Sequence, residues 1–367
     1  MIYFVLFILF FGLIRLLVAF INVITKVGLP DNILAEYKPF VSVLIPARNE
    51  EKNIGKLLSD LSDFTYNNLE IIIYNDLSTD GTAEIVKSFA QNNPGIKLIN
   101  GTNPPKGWLG KNYACHKLAD AARGELLLFL DADVRVKNGL IEKSISYFDK
   151  YKLSLLSVFP QQLMPVKETR FAVPLMNWIL LSLLPLILIR ISSWKSFSAA
   201  NGQFMLFDAS EYTKLHPHEQ FRSNPVEDIE ILKYFKKQKL KTATLLGDVH
   251  IQCTMYQSLE EAINGFSKNI FRFFGGCVFV TVLFGLLSTF SPIFVLIFGS
   301  WWLFIIYLLI IIGIRIFVSM ASKQNWLDNL LYMPLQQFVF LKIIFNAIIQ
   351  KKNKTLIWKE RNINTND

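Results

Sequence analysis

Long apolar segments constrain this chain more than any other feature. Residues 1–21 contain one charged side chain, Arg15, and residues 273–322 contain only Arg315. A helix of about 20 apolar residues crosses the hydrocarbon core of a bilayer. Hydrophobic residues make up 52% of the 367 residues and charged residues 18%, whereas soluble domains average about 25% charged residues. The sequence therefore predicts an integral membrane protein and excludes a disordered or disulfide-built chain.

The apolar segments predict several membrane elements. We expect an N-terminal transmembrane anchor at residues 1–25 and two transmembrane helices within residues 273–322. A signal peptide is the alternative at the N-terminus, but its basic region and small-residue cleavage site are missing. Residues 327–349 carry polar side chains and a proline, so they are predicted to lie at the interface, with a helix that crosses the bilayer as the alternative. Residues 171–190 contain two prolines and are predicted as a membrane-interface segment.

Basic residues predict the orientation. No lysine or arginine precedes the first apolar segment, whereas Lys26 and Lys38 follow it. Residues 350–367 form a basic tail that contains Lys351, Lys352, Lys354, Lys359 and Arg361. Lysine and arginine concentrate on the cytoplasmic side, so residues 38–270 and the tail are predicted to be cytoplasmic parts of a multi-pass cell-membrane protein. The chain has a net charge of +9. Because the positive residues follow the predicted membrane segments, no nucleic acid partner is expected.

The more polar residues 38–270 predict an α/β domain. Short apolar runs alternate with amphipathic stretches, which is typical of a mostly parallel sheet with helices on both faces. The predicted strands are 41–45, 69–74, 96–99, 125–130 and 153–159, and the predicted helices are 51–63, 82–92, 109–123 and 139–151. Such sheets bind ligands beyond the carboxyl ends of their strands. The polar residues that follow each strand are therefore the candidate site.

The clearest chemical signal follows the fourth predicted strand. The apolar run 126–130 ends in Asp131 and Asp133. Carboxylates this close raise each other's pKa, and a hard divalent cation reverses that penalty. Mg²⁺ and Mn²⁺ take carboxylates together with substrate phosphates, so we predict a metal site. The alternative is an aspartate pair that caps a helix after Val134.

Polar residues also follow the first two predicted strands. Pro46, Arg48 and Glu50 follow the first strand, and Asp76 ends the second. Taken alone, these patterns indicate turn and capping chemistry. A carboxylate at the position of Asp76 also suits a hydrogen bond from a base or a ribose.

Four motifs in a fixed order make residues 40–268 resemble the family 2 glycosyltransferases. They are Val-Ser-Val-Leu-Ile-Pro-Ala-Arg-Asn-Glu (41–50), Asn-Asp-Leu-Ser-Thr-Asp-Gly-Thr (75–82), Ala-Arg-Gly-Glu (122–125) before Leu-Asp-Ala-Asp (130–133), and Val-Glu-Asp (226–228). The stretch Pro-Lys-Gly-Trp-Leu-Gly-Lys-Asn (105–112) resembles the membrane-bound subgroup associated with hopanoid and carotenoid glycosylation. The resemblance implies the Rossmann-like GT-A fold, a nucleotide-sugar donor (usually a UDP-sugar in this family) and Mg²⁺ or Mn²⁺ as cofactor.

The resemblance also implies roles for individual residues. The donor side would comprise Pro46, Arg48, Glu50, Asp76, Lys111, Arg123 and Asp131. The metal would bind Asp133 together with Asp131. His250 is a further candidate ligand, although a lone histidine at a strand end is more often hydrogen-bonded within the fold.

The catalytic and acceptor residues are predicted later in the chain. Asp228 matches the catalytic base of the family, and Glu227 is its rival. Both residues also suit the acidic first turn of a helix, which does not exclude catalysis. The acceptor side would be the loop Asn201, Gly202, Gln203 and Phe204.

The implied function is the inverting transfer of one sugar to a lipid acceptor: a carotenoid, a hopanoid or another lipid. Residues 255–268 lack the Gln-x-x-Arg-Trp signature of processive members, so polymer synthesis is not expected. Two alternatives stay open. A nucleotidyltransferase acting on a membrane substrate would use the same carboxylate and metal chemistry. A transporter with a regulatory α/β domain is disfavoured because Arg15 and Arg315 are the only charges within the predicted spans.

Overall fold

The computed structural model describes residues 1–31, 37–353, 357–358 and 361–362. It divides into two units, which we call the α/β unit and the helical unit. The α/β unit comprises Gly28–Gln161 and Leu186–Cys253, and the helical unit comprises Met1–Val27, Gln162–Pro185 and Thr254–Asp367. Two charges of the predicted basic tail, Lys354 and Lys359, lie outside the described residues.

The strands of the described residues are, in chain order, β1 Val41–Ala47, β2 Leu69–Asn75, β3 Ile96–Asn100, β4 Leu126–Leu130, β5 Val134–Val136, β6 Leu155–Phe159, β7 Gln161–Gln162, β8 Phe204–Asp208, β9 Thr242–Leu246, β10 Ile251–Cys253, β11 Ile357–Trp358 and β12 Arg361–Asn362. Seven of them form one sheet in the order β3-β2-β1-β4-β8-β6-β9. The five predicted strands are confirmed as β1, β2, β3, β4 and β6. Four of them are apolar runs whose side chains are largely buried, whereas only Ile96 is buried in β3.

The α-helices of the described residues are, in chain order, α1 Ile2–Ile24, α2 Ile54–Ser62, α3 Thr82–Asn92, α4 Gly110–Ala121, α5 Leu140–Tyr151, α6 Pro174–Leu183, α7 Ile187–Ile191, α8 Ala209–Leu215, α9 Pro217–Gln220, α10 Glu227–Lys237, α11 Leu259–Asn269, α12 Val278–Phe298, α13 Trp301–Ala321, α14 Trp326–Leu331 and α15 Met333–Asn353. Two 3₁₀ helices span Lys167–Phe171 and Ile270–Phe274. The four helices predicted between strands are confirmed as α2 to α5, with α2 beginning three residues later than predicted.

The central sheet is mostly parallel, as predicted. β1 pairs in parallel with β2 and β4, and β2 pairs in parallel with β3. β8 lies between β4 and β6 and is antiparallel to both. In the β4–β8 register Leu130 lies opposite Phe204, so the residues that precede β8 lie at the same sheet edge as those that follow β4. Phe204, predicted within a loop, is the first residue of β8 and is fully buried.

Among its described residues, the helical unit holds four helices that are long and apolar enough to cross a membrane: α1, α12, α13 and residues Met333–Lys352 of α15. The first three match the predicted spans. α15, predicted to lie at the interface with crossing as the alternative, meets the length and composition of a span. α6, within the predicted interface segment, has 10 residues, or about 15 Å at 1.5 Å per residue, and is too short to cross.

The contacts of α1 give the relative directions of three helices. Phe20 contacts Phe317 at a centroid distance of 5.4 Å, and a Cβ on Gly12 would lie 3.1 Å from Ile310, so α1 and α13 are parallel. Phe4 contacts Phe294, whereas Phe11 contacts Phe284, so α12 is antiparallel to α1. The carboxyl ends of α1 and α13 therefore lie on one side of the helical unit. This is the arrangement expected if α1 crosses the membrane once and α12 and α13 cross it out and back.

Candidate active site

The loops that follow β1 and β2 are joined at the carboxyl edge of the sheet. Nη1 of Arg48 donates to the backbone oxygen of Asp76 at 2.8 Å and lies 4.0 Å from its Oδ2 atom. The backbone nitrogen of Asp76 donates to the Ala47 oxygen at 2.8 Å. The Asp76 side chain is only 5% exposed. Arg48 and Asp76, both predicted on the donor side, are therefore brought together.

Backbone geometry at Asn49 aligns the same two loops. Asn49 has a φ of +52°, a left-handed conformation that asparagine tolerates better than most residues. Its Oδ1 atom accepts from the Thr79 nitrogen at 2.9 Å, and its own nitrogen donates to Ser78 Oγ at 3.0 Å. The Glu50 nitrogen donates to Thr82 Oγ1 at 2.8 Å. These bonds hold the Pro46-to-Glu50 segment against the Asp76 loop.

The aspartates after β4 do not cap a helix. Val134 begins β5, so the capping alternative is wrong. Nζ of Lys111, in the first turn of α4, lies 2.7 Å from Oδ1 of Asp131. Oδ1 of Asp133 accepts from Nε2 of Gln203 at 3.2 Å. The lysine and both aspartates predicted for donor and metal binding therefore lie at one edge of the sheet.

The Asp133 carboxyl lies in a buried, anionic environment. Burial raises its pKa to about 6, and the charges of Asp131 and Glu50 add to the effect. Three carboxyl groups that interact in this way form a donor set of hard oxygen ligands, which is the set that Mg²⁺ and Mn²⁺ prefer. The residues present therefore fit a divalent cation on Asp133, with Asp131 and Glu50 beside it.

The loop 201–203 contacts this edge through its backbone and its side chains. The Asp131 nitrogen donates to the Gln203 oxygen at 3.2 Å, and the Gln203 nitrogen donates to Oδ1 of Asn201 at 2.8 Å. The Asn201 nitrogen donates in turn to Oγ of Ser157 at 2.8 Å. Asn201 and Gln203 are both buried. The loop is thus fixed between β4 and β6, and its predicted residues lie beside the aspartates.

Asp228 is hydrogen-bonded to the same loop. Its Oδ2 atom accepts from the Gly202 nitrogen at 3.0 Å and its Oδ1 atom from the Ile229 nitrogen at 2.8 Å. Burial and then the charge of Glu227 raise the pKa of Asp228 to about 7. A carboxyl group with a pKa near neutrality suits proton transfer at physiological pH.

Gly202 is surrounded by charged side chains. A Cβ at this position would lie 3.3 Å from Nζ of Lys111 and 3.7 Å from Oε1 of Glu227. Lys111, Glu227 and Asp228 therefore converge on one backbone position. Glycine leaves room there for the lysine, which bridges the metal edge and the acidic first turn of α10.

Asn112 is a positioning residue that was missed from the sequence. Its Nδ2 atom donates to the backbone oxygens of Phe221 at 2.8 Å, Arg222 at 3.3 Å and Asn224 at 3.0 Å, and the residue is 1% exposed. These carbonyl groups belong to the loop that leads into α10. The only sequence signal was its place at the end of the motif 105–112.

Arg123 lies at the opposite edge of the sheet, so the structure corrects its predicted donor role. Arg123 precedes β4, and its Nη2 atom lies 3.1 Å from Oε2 of Glu70, near the start of β2. The amino ends of parallel strands share one edge, which is the edge away from Asp76 and Asp131. Positive charge alone suggested the donor role, but the position of Arg123 before the strand excludes contact with ligands beyond the strand ends.

His250 also lies away from the aspartates. It precedes β10, whose antiparallel pairing sets Ile251 opposite Val136 and Cys253 opposite Val134. His250 is therefore at the end of this ladder that is distant from Asp133. Its Nδ1 atom lies 2.8 Å from Oδ1 of Asp248, the hydrogen-bonded role named as its alternative, and we do not include it in the candidate metal site.

A second group of side chains has spacing suited to a metal ion. Ligand atoms of His116, His216 and Glu219 lie within 4.8 Å of one another. His116 lies on α4, His216 between α8 and α9, and Glu219 on α9, and two of the three are exposed. This group is separate from the aspartates after β4.

Known proteins resemble the chain in both sequence and fold. Residues 42–182 match the profile of "Glycosyl transferase family 2". A 4,4'-diaponeurosporenoate glycosyltransferase of Staphylococcus haemolyticus is 30% identical over 243 residues, which are 63% of this chain and 60% of the relative. A Staphylococcus aureus protein with the same name is 26% identical over 247 residues, 64% of this chain and 62% of the relative. The chain thus spans about three fifths of the length of these curated relatives.

A solved structure supports the same assignment of the fold. A mannosyltransferase from Pyrobaculum calidifontis, in complex with GDP-Man and Mn²⁺, aligns with a TM-score of 0.55 at 14% identity. The alignment covers 94% of this chain and 100% of the mannosyltransferase chain. Residues 42–182 are thus similar to the family 2 glycosyltransferases, and the chain shares the fold of this GT-A mannosyltransferase.

Proposed function

We propose that this protein is a membrane-anchored glycosyltransferase that moves one sugar from a nucleotide sugar to a lipid acceptor with inversion. One observation carries the proposal: Asp228 contacts the Gly202 nitrogen at 3.0 Å, and the neighbouring residue of the same loop, Gln203, contacts Asp133 at 3.2 Å. A candidate base and a candidate metal ligand therefore contact adjacent residues of one short loop. A single displacement needs a leaving-group site and a base arranged in this way.

The donor would bind along the carboxyl edge of β1, β2 and β4. Asp76, Arg48 and Glu50 would contact the base and the ribose, because they belong to the two joined loops, and Pro46 would join them from the carboxyl end of β1. A bound Mg²⁺ or Mn²⁺ would neutralise charge on the diphosphate leaving group, held by Asp133 with Asp131. Although burial alone lowers it, the charges of Asp131 and Glu227 raise the pKa of Lys111, so its ammonium group stays available to the diphosphate.

The acceptor would approach from the side of residues 201–204. Asp228 takes the proton of an acceptor hydroxyl, the hydroxyl oxygen bonds to the anomeric carbon, and the nucleoside diphosphate leaves with the electron pair of the broken bond. Attack opposite the leaving group inverts the anomeric centre. Glu227 stays as the rival base, because its Oε1 atom lies near the same glycine.

We propose a carotenoid-type lipid as the first acceptor to test, with hopanoids and other lipids as further members of the class. The relatives named above are diaponeurosporenoate glycosyltransferases, and that name denotes a carboxylate. A carboxylate acceptor is already ionised at neutral pH, so Asp228 would position such an acceptor and would not need to deprotonate it. A hydroxyl acceptor would depend on the proton transfer.

We further propose that the protein is a multi-pass cell-membrane protein with a cytoplasmic α/β unit. Nucleotide sugars are cytosolic, and the four long apolar helices suit a bilayer. The carboxyl ends of α1 and α13 share one side of the helical unit, and Lys26 and Lys323 lie just beyond them. Positive charge at those ends favours the cytoplasmic side.

The test uses the full-length protein in lipid nanodiscs with a UDP-sugar, Mg²⁺ or Mn²⁺ and candidate acceptor lipids. We expect release of nucleoside diphosphate together with a glycosylated lipid whose mass is raised by one sugar. Pyrophosphate as the product would replace the proposal with nucleotidyl transfer. Flux of a solute across reconstituted vesicles without any sugar nucleotide, and no glycosylated product, would replace it with transport.

A further inference from the structure

An indole ring in the helical unit contacts two arginine side chains. The Cζ atom of Arg15, on α1, is 4.5 Å from the ring centroid of Trp178, and that of Arg315, on α13, is 4.7 Å from it. All three residues are buried: Arg15 is 7% exposed, Arg315 2% and Trp178 4%. Two guanidinium groups therefore share one aromatic partner within the bundle of apolar helices. We call these three residues the arginine–tryptophan cluster.

The hydrogen bonds of the cluster go to neutral groups. Arg15 donates from Nε and Nη2 to Oγ of Ser182 at 3.2 and 2.8 Å. Arg315 donates from Nη1 to Oε1 of Gln336 at 2.6 Å. Within the part of the chain that the structure describes, no carboxylate forms an ion pair with either arginine, and Nη2 of Arg315 has no hydrogen-bond partner.

Two positive charges in this position need an anion. The ring face and the neutral oxygens attract the guanidinium groups but do not neutralise their charge. Arg15 lies about 14 Å from the carboxyl end of α1 and Arg315 about 9 Å from that of α13, at 1.5 Å per residue. Ionisable side chains at such depths are costly and typically mark a functional site. An anion that reaches this depth must belong to a molecule that dissolves in the bilayer.

A small cleft opens beside Arg15, and neither Arg315 nor Trp178 is among its lining residues. Among its lining residues are Arg15, Ser288, Ser291, Tyr307 and Phe11, so a polar patch faces an aromatic wall. Its interior of ≈ 20 Å³ holds about one water-sized group. One oxygen of a headgroup fits inside, and the apolar remainder of the molecule must then lie outside, along the lipid-facing surface of the helices.

We propose that the arginine–tryptophan cluster binds the oxyanion headgroup of an amphiphilic lipid, a carboxylate or a phosphate. A guanidinium group forms charge-assisted hydrogen bonds to either of them. A carboxylate would come from the lipid acceptor, and that source rests on the proposed function. A phosphate would come from an anionic phospholipid.

The test measures binding without any sugar donor, so it is independent of glycosyl transfer. The full-length protein in phosphatidylcholine nanodiscs is titrated with parinaric acid, a polyene carboxylic acid that quenches tryptophan fluorescence by energy transfer, and separately with its methyl ester. We expect the acid to bind about tenfold more tightly than the ester, as one charge-assisted contact implies. Equal affinity of the wild-type protein for the two probes would overturn the proposal, whatever the variants do.

The variants assign the preference to the cluster. Arg15→Gln and Arg315→Gln should bring the acid and the ester to about equal affinity, whereas Arg315→Lys keeps a charge and should retain part of the preference. Arg190→Gln is the matched control, because Arg190 stacks on Tyr151 at 3.6 Å in the α/β unit. Loss of the preference in the control, or its persistence in both cluster variants, contradicts the proposal.

Competition identifies the source of the oxyanion. Displacement of the probe by a long-chain carboxylic acid, but not by phosphatidylglycerol, supports the acceptor carboxylate. The reverse result supports a phospholipid phosphate. Failure of sugar transfer with intact acid binding would contradict only the proposed function, and intact transfer with no preference for the acid would contradict only this inference.

Discussion

Nζ of Lys111 lies 2.7 Å from Oδ1 and 2.8 Å from Oδ2 of Asp131, so one ammonium group contacts both oxygens of the carboxylate. The pair joins the first turn of α4 to the end of β4. It also lies beside the candidate metal ligand Asp133, whose pKa responds to both charges. The lysine therefore holds Asp131 in place before any donor is bound, and it can turn to a diphosphate when one arrives.

Lys111→Gln and Arg123→Gln should affect the KM for the nucleotide sugar differently, because the two residues lie at opposite edges of the sheet. Lys111→Gln should raise KM for the nucleotide sugar by about tenfold or more, because a charge-assisted contact contributes about 1.5–3 kcal/mol. Arg123→Gln should leave KM within about twofold and lower stability by at most about 1 kcal/mol, since the Arg123 side chain is 66% exposed and the buried Glu70 keeps its bonds to Ser42 and Lys97. Initial rates of nucleoside diphosphate release give both KM values. A raised donor KM in Arg123→Gln would contradict the edge assigned to that residue.

Asp133→Asn should abolish metal-dependent transfer while the protein stays folded. The amide cannot supply the anionic ligand, and transfer should fall by at least about a hundredfold. In the wild type, protons compete with the metal below the Asp133 pKa of about 6, so the metal concentration for half-maximal rate should rise as pH falls through that value. Asp149→Asn, an exposed aspartate paired with Lys152, is the control. Normal turnover by Asp133→Asn would refute the metal assignment.

The pH profile should identify the base. The pKa of Asp228 is raised to about 7, and a base acts in its deprotonated form, so kcat with a hydroxyl acceptor should rise with pH through about 7 and then level off. Asp228→Asn should remove this rise and lower kcat by about 10²-fold or more. If Glu227→Gln removes the rise and Asp228→Asn keeps it, the base is Glu227. With a carboxylate acceptor the same rise should be much smaller.

Asn112→Ala should lower kcat with little effect on binding of the nucleotide sugar. Three partly buried backbone oxygens lose their shared side-chain donor. Those of Phe221 and Arg222 keep backbone donors, the Asn224 nitrogen at 2.9 Å and the Leu109 nitrogen at 2.8 Å, so the loss of stability should be about 1 kcal/mol. The loop before α10 should then hold Asp228 less firmly, so kcat should fall more than donor KM rises. Thermal unfolding and steady-state kinetics measure the two effects. Asn92→Ala, which removes an exposed bond to Ser88, should change neither quantity.

Much of the fold followed from apolar patterning. The runs that became β1, β2 and β4 are continuous because both faces of the sheet are covered, and a covered strand is recognisable without any alternation. The long apolar segments, with at most one charge each, predicted α1, α12 and α13. Few elements of soluble proteins are apolar over twenty residues. The aspartates after β4 were recognisable because charge directly after such a strand is unusual.

Other features depended on long-range pairing, which no local pattern contains. β8 has an apolar sequence like its neighbours, but its antiparallel insertion between β4 and β6 is a matter of topology. Arg123 shows the converse error: its charge suits a diphosphate, and only its place before a strand excludes it. Asn112 was missed because three backbone carbonyl groups from a segment about a hundred residues later define its role.

The antiparallel insertion of β8 has a consequence for changes in substrate. Leu130 and Phe204 lie opposite each other in one backbone register, so the separation between the aspartates after β4 and the loop before β8 is set by the spacing of two adjacent strands. Gly202 and the buried side chains of Asn201 and Gln203 hold this arrangement, so we expect a change of acceptor to come from residues outside 201–203. In this domain, new acceptors can therefore arise by substitutions around a loop whose distance from the aspartates is fixed by the pairing of β4 with β8.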